Sequence, residues 1–166
     1  MLVLGLDPGS RHTGWGMVRQ VGSRMQLVGA GILSPPAKAG LSSRLAHLHA
    51  GVTGLLADQP PDLVGMETVF HGPNTRSLVT LGQARGALLA AVGARGLGLI
   101  ELTPSEVKKA VTGRGGARKE QVAHMVRAML GPEALEGLGL DATDALAVAL
   151  AAIQRRQHEA RLGRAP

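Results

Sequence analysis

The 166-residue chain contains no cysteine and almost no aromatic residues. Without cysteine no disulfide can form, and no thiolate can act as a nucleophile or a metal ligand. We also expect no secretory leader, because the apolar start carries Asp7 and no basic residue precedes it. No apolar run approaches the length of a membrane span. We therefore expect a soluble, cytoplasmic protein that does not enter a membrane.

Acidic residues are outnumbered, and the chain has a formal net charge of +6 and a pI of about 11. A basic protein favours polyanionic partners, because neutralised phosphates release counterions. Many small basic proteins bind nothing specific, so the distribution of charge matters. Residues 104–127 hold six basic side chains against two acids, and three of the four lysines of the chain fall there. We expect this segment, including Lys109, Arg114 and Arg118, to contact a polyanionic partner.

The hydrophobic pattern predicts one domain in which strands alternate with helices after an antiparallel start. This order implies a five-stranded mixed sheet flanked by helices on both faces, an α/β architecture of the ribonuclease-H-like class. We assign residues 1–157 to this domain and residues 158–166 to a basic, disordered tail. The predicted strands cover residues 2–6, 14–20, 25–33, 62–69 and 97–102, and the predicted helices cover 41–57, 74–95, 104–112, 119–130 and 141–156.

Four acidic residues stand at the ends of predicted elements. Asp7 ends the first strand and Glu67 lies at the end of the fourth, while Asp141 and Asp144 open the last helix on one face. Clustered carboxylates repel one another unless a cation joins them, and their hard oxygen atoms suit Mg²⁺ or Mn²⁺. A pair of such ions can activate water and stabilise a leaving oxygen in phosphoryl chemistry.

Each of these acids also has a purely structural explanation. Asp141 could cap the last helix, with Asp144 as its third-position partner. Asp7 could be a turn residue before Pro8-Gly9, and Glu67 a solvated strand end. Their joint placement beside a basic segment favours a metal-dependent site for phosphate chemistry.

Five segments of the chain, in order, resemble the RuvC family of Holliday-junction resolvases. The resemblance extends from about residue 2 to residue 153. It implies a homodimeric endonuclease that cuts two strands of a four-way DNA junction in recombination and repair, leaving 5′-phosphate and 3′-hydroxyl ends. It also implies partnership with the RuvA and RuvB branch-migration proteins. The segments are GLDPGSRHTGWG, METVF, LGQARGALLAA, VKKAVTGRGGARKEQVAHMV and DATDALAVAL.

The resemblance further implies which residues carry the chemistry. Divalent metal, two Mg²⁺ or Mn²⁺ ions in each site, would be bound by Asp7, Glu67, Asp141 and Asp144. Some relatives carry histidine at the position of Asp141.

Four other residues acquire roles from the same resemblance. Lys108 and Lys119 would lie beside the scissile phosphate and offset the charge that develops on it. Phe70 would stack on an unpaired base at the junction centre, an interaction of roughly 1–3 kcal/mol, with His71 assisting.

The predicted helix 74–95 is apolar nearly all round between residues 84 and 92, which is more than packing on one sheet requires. We expect its second surface to pack on a copy of itself across a two-fold axis.

Three other functions fit parts of the pattern. An actin-like ATPase lobe shares the strand, acid and glycine of the start, but it needs two lobes and the chain has the length of one. Another ribonuclease-H-like nuclease, such as an RNase or a YqgF-like protein, would use the same fold on RNA or other DNA structures. A non-catalytic junction-binding module would explain the basic charge, yet four clustered acids would repel phosphate.

Overall fold

The computed structural model describes residues 1–9, 11–68 and 74–163. In these ranges the chain forms five strands, five α helices and one short 3-10 helix, and the predicted order of elements is confirmed. The strands are β1 (Leu2–Asp7), β2 (Thr13–Val21), β3 (Arg24–Leu33), β4 (Leu63–Glu67) and β5 (Leu99–Leu102). The helices are α1 (Leu41–Asp58), α2 (Thr75–Gly93), α3 (Pro104–Thr112), α4 (Lys119–Leu130) and α5 (Leu140–Arg161), with the 3-10 helix at Pro132–Leu135.

The five strands form one mixed sheet in the order β3-β2-β1-β4-β5. The first three strands pair antiparallel as a meander, whereas β4 runs parallel to both β1 and β5. Strand β1 is therefore central and is hydrogen-bonded on both edges. This arrangement confirms the predicted five-stranded mixed sheet.

Helices cover the sheet on both faces, and the side chains of β1 alternate between two cores. Leu4 and Leu6 join the core that includes Leu48 of α1 and Leu88 of α2. Val3 joins the opposite core, which is built from α3, α4 and α5. A strand buried on both faces needs apolar residues at every position, which explains the unbroken apolar run at the start of the sequence.

Glycine residues let α5 approach the sheet closely. A Cβ atom at Gly5 of β1 would overlap the backbone of Ala145 and Ala149 in α5. Gly16 of β2 lies against Leu146 of the same helix in the same way. The residues of α5 from Ala145 to Ile153 are all buried, so the helix runs through the interior and is not merely laid on the surface.

The structure corrects the predicted start of the disordered tail at residue 158, because residues 158–161 continue α5. The Arg155 Nε donates a hydrogen bond to Glu159 Oε1 at 2.8 Å, an i,i+4 pair that supports these last turns. The helix ends only near Gly163, whose positive φ of 66° does not suit a helix. None of the described helices is long and apolar enough to cross a membrane.

The close approach of α5 predicts opposite effects for two glycine substitutions. Gly5→Ala should lower the free energy of unfolding by about 1–3 kcal/mol, because the new methyl group meets helix backbone that cannot move alone. Gly54→Ala in α1 is the matched control: no atom lies within 4 Å of its added Cβ, and the change should stabilise the protein by roughly 0.5–1 kcal/mol. Urea denaturation measures both, and an unchanged midpoint for Gly5→Ala would show that α5 does not rest on this glycine.

Candidate active site

Two of the predicted acids end adjacent parallel strands. The pairing of β1 with β4 reaches Leu6 and Met66, and the next residue in each strand is the acid, Asp7 or Glu67. Because side chains alternate along a strand, each acid faces the same side as the glycine two positions before it, and both glycines face α5. Asp7 and Glu67 therefore lie side by side on the α5 face, at one end of the sheet.

The other two acids reach this end through the first turns of α5. The helix begins directly after Gly139 and carries Asp141 in its first turn and Asp144 on the same face. Gly14 pairs with Asp7 in the sheet, and a Cβ atom there would overlap the main-chain carbonyl of Asp141. The missing side chain at Gly14 thus lets the start of α5 approach the strand that carries Asp7.

The capping explanation for the two α5 acids is wrong. The N-cap of α5 is Gly139, one residue before the helix starts, and no side chain caps it. Asp144 instead accepts a hydrogen bond from Lys119 Nζ at 2.8 Å. Nor is Asp7 a turn residue, because it is paired with Gly14 as the last residue of β1.

The site is electrostatically strained by its own carboxylates. Burial is the main cause that raises the pKa of Asp7 to about 8, and repulsion from Glu67, Asp144 and Asp141 adds to it. Burial likewise raises the pKa of Glu67 to about 7, with repulsion from Asp144 as the second cause. Asp7 thus lies within electrostatic reach of all three other acids, and it links the four of them into one cluster.

Two lysines counter this negative charge. Lys119, at the start of α4, forms an ion pair with Asp144, and this hydrogen bond is the main cause that raises its pKa. The ammonium of Lys119 acts against burial and repulsion, and it partly offsets the rise in the pKa of Asp7 and of Glu67. Lys108, on α3, lowers the pKa of Glu67 in the same way. Both lysines expected beside the reacting phosphate thus lie next to the acids.

The remaining basic residues predicted to bind DNA are spread more widely. Lys109 is exposed and lines a groove between α3 and the second half of α5, away from Lys108. Arg114 lines a cleft between α3 and α4, together with His124. Arg118 is exposed just before α4, where its main-chain N–H donates to Gln121 Oε1 at 2.9 Å. Phe70 and His71, predicted to contact the junction centre, lie outside the described residues.

The donor chemistry of the cluster suits hard divalent cations. All four groups are carboxylates, which Mg²⁺ and Mn²⁺ prefer. The raised pKa values of Asp7 and Glu67 reflect burial and mutual repulsion, which a bound cation would offset. Among the described residues no three acidic or imidazole side chains converge into a ready metal cage, and Asp144 is turned to Lys119.

The glycine floor beneath α5 is the part of the site that sequence reasoning missed. We define it as Gly5, Gly14, Gly16 and Gly65, each of which lies against α5. The signal was present in the sequence, because Gly5 and Gly65 each interrupt an apolar strand and Gly14 and Gly16 occupy alternate positions of β2. Small residues on one face of a buried strand indicate close approach of another backbone.

The model of the family described as crossover junction endodeoxyribonuclease RuvC matches residues 3–152. The chain belongs to the RuvC family. The RuvC of Chlorobaculum parvum is 45% identical over 93% of this chain and 82% of that protein. The RuvC of Paramagnetospirillum magneticum is 42% identical over 99% of this chain and 98% of its own.

Solved structures agree with this assignment. The structure of Thermus thermophilus RuvC in complex with a Holliday junction substrate superposes with a TM-score of 0.83 at 30% identity, covering 99% of this chain and 98% of that one. The yeast mitochondrial Holliday junction resolvase has a TM-score of 0.71 at 18% identity, over 98% of this chain and 82% of its own. The second likeness concerns the fold alone.

The repulsion among the four carboxylates predicts that the site lowers the thermal stability of the protein. In buffer without divalent ions at a pH above about 8, where Asp7 is ionised, Asp7→Asn should raise the melting temperature, because it removes a partly buried charge that three carboxylates repel. Added Mn²⁺ should raise the melting temperature of the unaltered protein and leave the variant nearly unchanged.

Thermal melts in EDTA and in Mn²⁺, at matched ionic strength, measure both effects. Glu136→Gln, at an exposed acid outside the cluster, is the control and should behave as the unaltered protein does. An Asp7→Asn variant that melts below the unaltered protein in EDTA would contradict this account of the site.

Proposed function

We propose that Asp7, Glu67, Asp141 and Asp144 form the catalytic site of a crossover junction endodeoxyribonuclease that resolves four-way DNA junctions. The observation that carries the proposal is that Asp7 of β1 is repelled by Glu67 of β4 and by Asp141 and Asp144 of α5, while Lys119 is bound to Asp144. Carboxylates that serve only the fold are not expected to cluster, because their charges repel one another. A metal-dependent phosphodiesterase requires this arrangement.

The four carboxylates would hold the divalent metal on which this class of nuclease depends. We propose two Mg²⁺ or Mn²⁺ ions in each site, and Asp7, which borders the other three acids, would be among the residues that hold them. When bound, the ions would make the attacking water more acidic and stabilise the leaving oxygen. The rigid strand ends β1 and β4 fix the positions of Asp7 and Glu67, which limits how far their ligand atoms can drift.

The two lysines complete the site from α3 and α4. The Lys119 side chain is 63% exposed although its Nζ is bound to Asp144, so the ammonium can also reach a phosphate at the surface. Lys108, on α3, lies near enough to Glu67 to lower the pKa of that carboxyl. Together they would offset negative charge on the reacting phosphate and hold the strand in line for attack. Departure of the 3′ oxygen would leave 5′-phosphate and 3′-hydroxyl ends.

Further contacts to DNA follow from the charge of the chain. Lys109, Arg114 and Arg118 would add phosphate contacts around the site, and these contacts position the duplex without reading its sequence. From the family resemblance we propose that Phe70 stacks on an unpaired base at the junction centre and that His71 assists it. The Thermus thermophilus relative, whose structure contains a Holliday junction, supports this choice of substrate.

A homodimer would supply the second active site that paired cuts require. Helix α2 buries Ala84 and Leu88 in the core and leaves Leu78 and Val79 uncovered, with Val79 54% exposed. The uncovered apolar residues thus lie near the start of α2, before residues 84–92, whose apolar pattern predicted a contact between copies. We propose that this end of α2 packs on its copy in a dimer. The dimer would act in the cytoplasm with the RuvA and RuvB proteins, as the family resemblance implies.

Removal of any one acid should abolish cleavage and spare binding. Asp7→Asn or Glu67→Gln removes a ligand charge and raises the barrier of the chemical step, while the phosphate contacts that provide most of the affinity remain. Single-turnover cleavage of a synthetic four-way junction and junction affinity in Ca²⁺ or EDTA measure the two quantities separately.

Other substrates distinguish the alternative functions in the same assay. Preferential cutting of an RNA–DNA hybrid would indicate another ribonuclease-H-like nuclease, and tight binding with no cutting in Mg²⁺ or Mn²⁺ would indicate a binding module. Full activity of Asp7→Asn in Mg²⁺ would end the assignment of this site.

The dimer proposal predicts different effects of the same substitution at two equally exposed valines. Val79→Glu on α2 should weaken self-association, because it places a charge in an apolar contact between copies. Val21→Glu at the end of β2 is the control, since Val21 is 55% exposed and lies outside α2. Sedimentation velocity at micromolar concentration measures both, and a monomeric unaltered protein that still cuts junctions would refute the dimer.

A further inference from the structure

A second basic surface lies at the same end of the sheet as the carboxylates. Here a cleft of about 360 Å³ is lined by Arg11, His12, Pro35, Ala37 and Arg44. Arg11 and His12 belong to the connection that leaves Asp7 and leads into β2, so the cleft begins only a few residues from the acid cluster. Because α1 covers the face opposite α5, the cleft approaches the cluster from the other face of the sheet than Lys108 and Lys119 do.

This surface belongs to a stretch of sequence with charge of only one sign. The fifty residues between Asp7 and Asp58 contain no acid. In the described residues, none of the ion pairs includes a basic side chain from this stretch. A positive cleft without an internal counter-charge attracts anions from solution. The five lysine and arginine residues of the stretch are Arg11, Arg19, Arg24, Lys38 and Arg44.

The start of α1 strengthens the positive potential of the cleft. The N-cap is Gly40, which provides no capping side chain, and the first turn holds no acid. Arg44 lies in this turn, with its N–H bonded to the Gly40 carbonyl at 3.1 Å. A helix N-terminus carries a partial positive charge, so an arginine there is unfavourable by itself. A bound anion would interact favourably with both the helix terminus and the arginine.

A side chain on the opposite wall is already oriented. The His12 ring is held by a hydrogen bond between Nδ1 and Ser34 Oγ at 2.9 Å. Ser34 directly follows β3, and the register of β3 with β2 fixes it beside the β1–β2 connection. Arg11 from the β1–β2 connection, Arg44 from the first turn of α1 and the fixed imidazole thus border one small space, which suits a phosphate group with its several acceptor oxygens.

We propose that this cleft, which we call the Arg11–Arg44 cleft, binds a backbone phosphate of the junction that is cut at the acid cluster. The inference rests on the proposed function and extends it. Lys108, Lys119 and the other basic residues of α3 and α4 would hold DNA on the α5 face, and the Arg11–Arg44 cleft would hold it on the α1 face. A branched substrate has backbone on both sides of its crossover point. Phosphate contacts on both faces would therefore set how the branch is oriented over the acids.

The dependence of binding on salt tests this proposal. The double variant Arg11→Gln/Arg44→Gln should make the slope of log affinity against log salt concentration less steep by about 0.9, the contribution of one lost phosphate contact. Junction affinity in EDTA should fall about tenfold at moderate salt. The charge-retaining Arg11→Lys/Arg44→Lys variant should recover most of the slope, which separates lost charge from disturbed folding.

The chain provides a matched control with the same change in net charge. Arg19 and Arg24 belong to the same acid-free stretch, but Arg19 pairs with Leu2 at the opposite end of β1 from Asp7. Arg19→Gln/Arg24→Gln should leave the slope nearly unchanged. Equal losses in the two double variants, or an unchanged slope in Arg11→Gln/Arg44→Gln, would overturn the inference. An unaltered protein that neither binds nor cuts junctions would instead reject the proposed function.

Discussion

The close packing of α5 on the glycine floor is the contact on which the site depends. A helix usually lies about 10 Å from the sheet it covers, because side chains fill the space between them. Here the glycines of β1, β2 and β4 face α5, and their absent side chains remove that spacing. The first turn of α5 can then bring Asp141 and Asp144 to the strand ends that carry Asp7 and Glu67. A larger residue at one of these glycine positions would push α5 away from the sheet. Asp141 and Asp144 would then lie farther from Asp7 and Glu67, although none of the four acids had been changed.

The same packing explains how a repulsive cluster is tolerated. The fully buried part of α5, from Ala145 to Ile153, joins the core beneath the sheet and anchors the helix. Buried apolar area stabilises by roughly 25 cal/mol per Å², so a helix buried on all sides outweighs a few unfavourable carboxylate contacts at its first turns. Stability resides in the middle of the helix and chemistry in its first turns. Lys119 reduces the remaining repulsion from outside, through its bond to Asp144.

Much of the fold could be predicted because its signals are local. The apolar run of β1 and the Thr103–Glu106 capping box before α3 each identify an element from a few neighbouring residues. The placement of the four acids followed from the order of strands and helices. The Lys119–Asp144 pair could not be predicted, since it joins residues 25 apart whose contact depends on how α4 packs against α5. The prediction of a disordered tail from residue 158 is wrong for residues 158–161, which are helical. Basic side chains do not end a helix, and no helix-breaking residue lies in this range.

The charge pattern as a whole addresses a problem that the catalytic cluster creates. Four carboxylates repel the phosphates that they must act on, and at physiological salt this repulsion decays over roughly 8 Å. Lys108 and Lys119 cancel part of the cluster's charge, and the other basic residues of the chain attract the substrate. The net charge of +6 is thus largely a property of the surroundings of an acidic centre. Attraction from both faces of the sheet would hold a DNA strand over the acids until divalent cations bind and neutralise the carboxylates.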